Sequence, residues 1–495
     1  MILRKKLVRP FALVTALVLT AALVACSSND TITVASFSVQ DHLRAGKQTA
    51  LDDYIRKPDG SYRWKLLKQE RKNGYRTFVI DMTSQSWRSP DEVDRTEWQH
   101  WLTLVLPDKP CSDTGMLLIS GGGNGGEPPE NVSSQVLEIA KASHCAVAEI
   151  KMIPNQRLTF HGDGVGRSED DLIGYTWNQY MVTGDPTWLA RFPMVKATVR
   201  AMDTLQSFLA QNAKPSQQIN KFLVAGASKR GWTTWVTGAV DDRVVAIAPI
   251  VIDVLNVDAN MRHHYAAYGF WSPAVGDYVQ HNIFQRMDDP RLKALYELVD
   301  PYSYLDRLKM PKMIISGSGD QFFLPDSSRF YFDALLGEKH LSYVPNADHS
   351  LNNDAVETLA SFFKDIALDR PRPNIHWSTL DDGSLRVTST QPPNKVTLWK
   401  AYNSQARDFR LQMKSVYNNG FVATQLTAQS DGSYLATPTE HEVGWSAYFV
   451  EFEFRKGDRD VLRLTTEVTI YPDILPYANK DSSQDNSVGP PAEKP

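Results

Sequence analysis

Gly226-Ala227-Ser228-Lys229-Arg230-Gly231 constrains this chain more than any other stretch, because the apolar run Phe222 to Ala225 before it reads as a strand and a helical pattern begins near Trp232. A strand that becomes a helix within so few residues must bend sharply. Small residues at Gly226 and Ala227 relieve the crowding at such a bend and lift the next side chain above the sheet edge. That side chain is the hydroxyl of Ser228, a candidate nucleophile. The usual spacing is G-x-S-x-G, whereas this chain carries Arg230 two residues after the serine and its glycine at three. Glycine and serine at a strand end are also ordinary turn chemistry, so the corner alone leaves both readings open.

A serine hydroxyl is a weak nucleophile until a neighbouring base takes its proton, and the base in turn needs a buried acid to orient it and stabilise its cation. Two later strand ends offer these groups. Met313 to Ser316 runs into Gly317-Ser318-Gly319-Asp320, and Leu341 to Val344 runs into Pro345-Asn346-Ala347-Asp348-His349-Ser350, before a helical pattern from Ala355 to Ala367. Ser228, Asp320 and His349 therefore stand in the chain order used by α/β-hydrolases, with His349 as base and Asp320 as acid. Asp253, at the end of the strand Val244 to Ile252, is the alternative acid. The bland readings are an Asx turn for Asp320 and a structural role for His349.

An oxyanion hole should follow an earlier strand. Met116 to Ser120 leads into Gly121-Gly122-Gly123-Asn124-Gly125-Gly126, whose backbone N–H groups at Gly122 and Gly123, with that of Lys229 after the serine, are the candidate donors. Glycines after a strand can also cradle phosphate, but neither G-x-x-x-x-G-K-[ST] nor a G-x-G-x-x-G turn in a clean βαβ unit is present.

Around these motifs, strand patterns at Thr77–Thr83, Trp98–Leu106 and Ala146–Met152 alternate with helical ones at Val132–Ser143 and Met194–Gln211. The alternation predicts an α/β fold: an α/β-hydrolase domain with a mainly parallel sheet over residues 41–370. An aromatic-rich insertion at about 254–312, with Tyr265, Tyr268, Phe270, Trp271, Tyr278 and Phe284, reads as a cap over the site or as packed core. His263-His264 lacks any ligand spacing, so no metal and no cofactor are expected. From Pro371 short alternating runs predict a small all-β, sandwich-like domain over 371–478, followed by a disordered polar tail over 479–495.

The N-terminus says where the chain goes. Arg4, Lys5, Lys6 and Arg9 precede the apolar run Phe11 to Val24, which ends in Leu23-Val24-Ala25-Cys26 like a bacterial lipobox. Residues 1–25 are thus expected to be a lipoprotein signal peptide, Cys26 the lipidation site, with palmitate among the chains, and residues 26–40 a polar tether. Ser27 rather than Asp after the cysteine favours the outer membrane of the cell envelope. Cys111 and Cys145 are the remaining cysteines, and export permits a disulfide between them if their Cα atoms are close. A formal charge of −4 over 495 residues excludes a nucleic-acid surface.

With these motifs in view, the chain resembles the PhoPQ-activated pathogenicity-related proteins of Gram-negative bacteria. The resemblance rests on Gly226 to Gly231, Pro193-Met194-Val195-Lys196-Ala197 with Arg200 to Asp203, Gly317 to Phe323, Pro345 to Ser350, Leu398-Trp399-Lys400-Ala401, Arg407-Asp408-Phe409-Arg410 and Gly444-Trp445. It implies an α/β-hydrolase-like domain, export, and expression under a two-component system linked to virulence and envelope stress; it brings no substrate. Glucuronoyl esterases look similar at one point, an elbow with its glycine also three residues after the serine. The expected function is an envelope serine hydrolase acting on a carboxylic ester or amide through an acyl-enzyme. The alternative is a hydrolase-like scaffold that binds or signals without turnover, because Lys229 and Arg230 beside the serine are bulky cations that either reshape the elbow or attract an acidic substrate.

Overall fold

The computed structural model describes residues 42–489 apart from 59, 414–419, 439–442, 458–459, 482, 484 and 486. The leader, Cys26 and the tether lie outside the described residues. Helix α1 (Ala50–Arg56) starts on a reciprocal capping box between Thr49 and Asp52. It is followed by the antiparallel strands β1 (Arg63–Lys72), β2 (Tyr75–Ser86) and β3 (Glu97–Pro107). The pattern expected at Thr77–Thr83 and Trp98–Leu106 falls inside β2 and β3. Strand β1 escapes a hydrophobicity reading because it is a charged, largely exposed edge, a composition that discourages pairing with another chain.

The parallel part of the sheet is built from β4 (Thr114–Ile119), β5 (Val147–Ile150), β6 (Lys221–Ala227), β7 (Val244–Ile250), β8 (Lys312–Gly317) and β9 (Lys339–Val344), in the spatial order β5-β4-β6-β7-β8-β9. Strands β4, β5 and β8 are buried along their whole length, as continuous apolar runs covered on both faces must be. Between β4 and β5 lies α2 (Ser134–Ser143); α3 (Glu169–Thr183) and the long α4 (Arg191–Asn212) lie between β5 and β6, and α5 (Lys229–Val240) joins β6 to β7. Helices α6 (Val257–Tyr268), α7 (Gly276–Gln280) and α8 (Pro290–Val299) fill the connection from β7 to β8, and α9 (Asn353–Ala367) follows β9. Side chains of α4 and α5 belong to one core cluster and those of α2 and α9 to another, so helices cover both faces. This is the α/β-hydrolase fold.

Helices α6 to α8 share their end of the sheet with α3, which packs on α7 and α8 although it comes from a different insertion. The cap therefore has two sources in the sequence, the second masked by its distance along the chain. The cap aromatics divide. Tyr278 and Phe284 face the cavity beside Ser228, whereas Trp271 stacks on Phe284 at 4.2 Å and Tyr265 packs against Trp271 at 5.1 Å.

Beyond residue 370 the chain forms β10 (Ile375–Thr379), β11 (Leu385–Ser389), β12 (Lys395–Asn403), β13 (Val422–Gln425), β14 (Tyr434–Ala436), β15 (Trp445–Gly457), β16 (Asp460–Thr465) and β17 (Thr469–Tyr471). Strands β10, β11 and β14 make a small separate sheet, whose Leu385, Val387 and Ala436 share a buried cluster with Val450, Phe452 and Leu464 of the facing strands. The second layer, β16-β15-β12-β13, continues the hydrolase sheet through an antiparallel junction at β9, where Thr465 lies opposite Leu341 and its hydroxyl accepts the Tyr343 N–H at 3.1 Å. The alternating pattern carries no mark of that attachment.

Of the tail expected to be disordered over 479–495, the described residues Asp485 and Gly489 make hydrogen bonds to the cap. Asp485 accepts the Tyr265 hydroxyl at 2.5 Å, its carbonyl accepts Trp271 Nε1 at 3.2 Å, and Gly489 N–H donates to the Trp271 carbonyl at 2.9 Å. Polar composition suggests solvation; here specific hydrogen bonds to cap aromatics offset the ordering cost. Cys111 and Cys145 are joined in a disulfide with Cα atoms 4.9 Å apart, tying the entry to β4 to the entry to β5. Among the described residues no helix is long and apolar enough to cross a membrane.

Candidate active site

Ser228 sits where β6 turns into α5, with φ 59° and ψ −127°, a conformation that L-residues rarely hold. Its N–H donates to the Ile250 carbonyl at 2.8 Å, and its carbonyl accepts the Trp232 N–H at 3.0 Å. Both glycines of the motif are close-approach positions. A Cβ on Gly226 would lie 2.8 Å from the Arg230 carbonyl oxygen, and one on Gly231 would lie 2.9 Å from the carbonyl oxygens of Gly226 and Ile250. The glycine at three residues after the serine is therefore the one that lets α5 pack down on β6 and β7. Arg230 runs from that contact across Gly121, where the missing Cβ leaves room for its guanidinium to reach Glu169.

Asp320 and His349 meet. His349 Nδ1 lies 2.8 Å from Asp320 Oδ2, while Asp320 Oδ1 accepts the Phe322 N–H at 2.7 Å. Asp320 is buried, so its two oxygens are committed to these donors. A proton on Nδ1 leaves the lone pair on His349 Nε2, which is buried and has no hydrogen-bond partner among the described residues. Phe322 packs against the imidazole with centroids 4.2 Å apart and the rings tilted by 36°, and Phe322 and Phe323 line the same cavity as Ser228 and Lys229. Asp253 is placed elsewhere. Its oxygens accept the hydroxyls of Tyr331 at 2.6 Å and Tyr343 at 2.5 Å, and burial raises its pKa to about 7 despite those donors.

The glycine loop after β4 packs against the elbow. A Cβ on Gly121 would fall 2.5 Å from Arg230 Nη2, Gly122 has φ 117°, and Gly123 bridges to Gln156. The cavity is lined by Lys229 but not by Gly122 or Gly123. The Lys229 N–H, at the first position of α5, has no acceptor within its own helix.

The cations beside the serine neither distort the elbow nor stand free. Glu169, first residue of α3, takes Arg230 in a two-pronged bond of 2.8 and 2.6 Å and Lys229 Nζ at 2.8 Å; Asp170 takes Lys229 Nζ at 3.0 Å. Arg230 Nε also donates to the Ile153 carbonyl at 2.5 Å, and Gln156 brackets Glu169, accepting its N–H at 2.8 Å and donating from Nε2 at 2.5 Å. One acid thus ties the cap to the elbow and to the segment beside the glycine loop. Burial alone would raise the pKa of Glu169, but the Arg230 hydrogen bonds and the charges of Lys229 and Arg230 outweigh it and hold it at about 2. Glu169, Asp170 and the buried Arg191 are site residues that sequence motifs do not single out, and Phe322 enters the sequence reading only as part of the Gly317 to Phe323 resemblance, with no role assigned. The run Glu169-Asp170-Asp171 reads only as acids favoured at a helix N-terminus.

The cavity itself is small, about 40 Å³, and its walls are mainly Trp177, Trp232, Met261, Tyr278, Phe322 and Phe323. That is room for roughly three waters or a short acyl group. His263 and His264 stand apart from it: His263 Nε2 pairs with Asp326 at 3.0 Å, and His264 Nε2 accepts the Ser272 N–H at 3.0 Å. Among the described residues no cluster of His, Cys, Asp and Glu is arranged to hold a metal.

The family described as PhoPQ-activated pathogenicity-related protein matches residues 51–410. Autocrine proliferation repressor protein A of Dictyostelium discoideum is 36% identical over 458 residues, covering 87% of this chain and 92% of that protein. Among solved structures, acetyl xylan esterase 1 of Thermoanaerobacterium sp. is 14% identical with a TM-score of 0.45, over 66% of this chain and 97% of that one. A glucuronoyl esterase of Solibacter usitatus is 13% identical with a TM-score of 0.38, over 66% of this chain and 89% of that one.

Two acids at this end of the sheet, the partly exposed Glu169 and the buried Asp253, should give opposite pH signatures. Glu169, with its pKa depressed to about 2, stabilises the fold above the ordinary carboxylate range and loses that contribution as pH falls toward 2. Asp253, with its pKa raised to about 7, favours the fold at low pH and ceases to do so as pH rises through 7. Urea denaturation from pH 3 to 8 should therefore show Glu169→Gln less stable than wild type near neutrality and converging with it in acid, and Asp253→Asn gaining on wild type as pH rises. Parallel curves for either variant would contradict the corresponding assignment.

Proposed function

The chain belongs to the family of PhoPQ-activated pathogenicity-related proteins, and from that footing we propose that it is a serine hydrolase that cleaves short-chain carboxylic esters or amides through an acyl-enzyme. The observation that carries the reading is the state of His349: Nδ1 held by the buried Asp320, Nε2 buried and without a hydrogen-bond partner among the described residues, on a ring that packs against Phe322 of the Ser228 cavity wall. An imidazole in that state can act as a base toward the hydroxyl, and Asp320 stabilises the imidazolium that results.

The steps follow from the residues. Ser228 attacks the acyl carbon while its proton passes to His349 Nε2. Negative charge on the carbonyl oxygen is met by the N–H of Lys229, with Gly122 and Gly123 as the candidates for the second donor. His349 returns the proton to the leaving alcohol or amine, and a water activated by the same imidazole releases the acid. Glu169, holding Lys229 and Arg230, fixes the start of α5 from which the Lys229 N–H projects.

Replacing His349 by Ala should abolish turnover of an activated ester. Asp320→Asn should lower kcat by about 10⁴ by favouring the wrong imidazole tautomer, and Asp253→Asn should cost far less. Across acyl chains of two to eight carbons, kcat/KM should fall by about tenfold or more once the chain outgrows the cavity. Activity that is unchanged in all three variants, or absent from wild type on every ester and amide tried, would favour the non-catalytic scaffold.

We also propose that the protein is expressed under PhoPQ control in keeping with its family's description, and that it is held at the outer membrane by lipid on Cys26. Several acyl chains on one cysteine bind a bilayer stably where a single chain does not. Mass spectrometry of the mature N-terminus should find lipidated Cys26, and Cys26→Ser should release the protein from membranes. Unmodified Cys26 in the membrane fraction would overturn the anchor.

A further inference from the structure

Arg191 lines the Ser228 cavity and, among the described residues, has no carboxylate within ion-pair distance, although Asp170 and Tyr278 act on it electrostatically. It is 2% exposed. Its Nη1 donates to the Lys229 carbonyl at 2.8 Å, its guanidinium lies 4.3 Å over the Trp232 ring, and its Nε is buried with no partner. No ion pair to Arg191 forms among the described residues. Asp170, the nearby carboxylate of the same cavity, is occupied by Lys229 Nζ at 3.0 Å and by the Tyr278 hydroxyl at 3.1 Å. Lys229 and Arg230, by contrast, are neutralised by Glu169 and Asp170.

A buried guanidinium without a carboxylate is costly, because the charge has lost its water and gained only part of a replacement. The position aggravates the cost. Arg191 is the first residue of α4, a helix with Ala190 at its cap, no side-chain cap and no acid in its first turn. The partial positive charge of that helix end adds to the arginine's own, where an anion would be favoured. The guanidinium and the helix end that carries it thus put positive charge, only partly offset by Asp170, on the wall of a small, mainly apolar cavity that also holds the candidate nucleophile.

We propose that Arg191 is a substrate-recognition residue, and that the group entering the cavity beside Ser228 is a short acyl chain bearing a carboxylate, which the guanidinium binds. This deepens the hydrolase reading and rests on it for the ester bond. An anion paired to a planar guanidinium receives charge-assisted hydrogen bonds that a neutral isostere of the same size does not. The preference should therefore be large and specific to charge.

The test compares monomethyl malonate with its amide isostere, methyl malonamate, by pH-stat. Wild type should favour the anion in kcat/KM by about tenfold or more. Arg191→Met should bring that ratio to about one, chiefly through KM for the anion, whatever the common change in rate; Arg191→Lys should keep part of the preference. A wild-type ratio of one or less, or a ratio that survives in Arg191→Met, would overturn the proposal. Should neither ester be cleaved, calorimetry with monomethyl malonate decides the inference separately from the hydrolase reading. Binding to wild type that is lost in Arg191→Met supports it, and binding that is absent or equal in both overturns it.

Discussion

The contact between the backbone of β6 and the first turn of α5 is the constraint on which the rest of the molecule depends. With no Cβ on Gly226 or Gly231, the helix settles against the carbonyls of Gly226 and Ile250 and forces Ser228 into a conformation with positive φ. Such a residue costs on the order of 1–3 kcal/mol and persists only where the surroundings over-determine it. Here they do so from three sides. The Ser228 N–H is bound by the Ile250 carbonyl, Trp232 returns a hydrogen bond to the Ser228 carbonyl, and Arg191 holds the carbonyl of Lys229. The same corner sets the direction of α5, and with it the positions of Lys229, Arg230 and Trp232 on the cavity and the cap.

Charge then joins the parts that the chain makes separately. Lys229 and Arg230 belong to the elbow, Glu169 and Asp170 to the cap, and Gln156 to the segment beside the glycine loop. Because Glu169 is partly exposed while Lys229 and Arg230 are nearly buried, the network gains more from orienting its members than from raw Coulomb energy. The C-terminal β region does comparable work on the acid loop. Buried Arg407 pairs with Asp326 at 2.6 Å, and the Leu411 N–H donates to the Gly319 carbonyl at 2.9 Å, next to Asp320. A region that reads in sequence as an appended domain thus braces the loop that carries the acid.

The sheet was legible wherever burial on both faces makes a strand continuously apolar, as at Leu117, Leu223, Ile314 and Tyr343. The Ser228 corner, the Asp320 loop and the His349 loop could be read because each follows such a strand. Strand β1 could not be, since an exposed edge made of Lys, Gln, Glu and Arg carries no apolar signal. Glu169 and Arg191 stayed hidden for another reason. Their significance comes from what lies across a gap of tens of residues, Arg230 for one and the Lys229 carbonyl for the other, and no local pattern records a partner at that distance. The tail on the cap was missed because Asp485 is placed by Tyr265 and Trp271, not by its neighbours in sequence.

The central claim is that Ser228 is a nucleophile activated by His349. Covalent labelling with a fluorophosphonate, followed by intact-mass measurement and peptide mapping, tests it most directly. The account predicts a single adduct on the peptide containing Ser228, formed rapidly by wild type, very slowly by His349→Ala and not at all by Ser228→Ala. An adduct on a different serine, or equal labelling rates in wild type and His349→Ala, would contradict it.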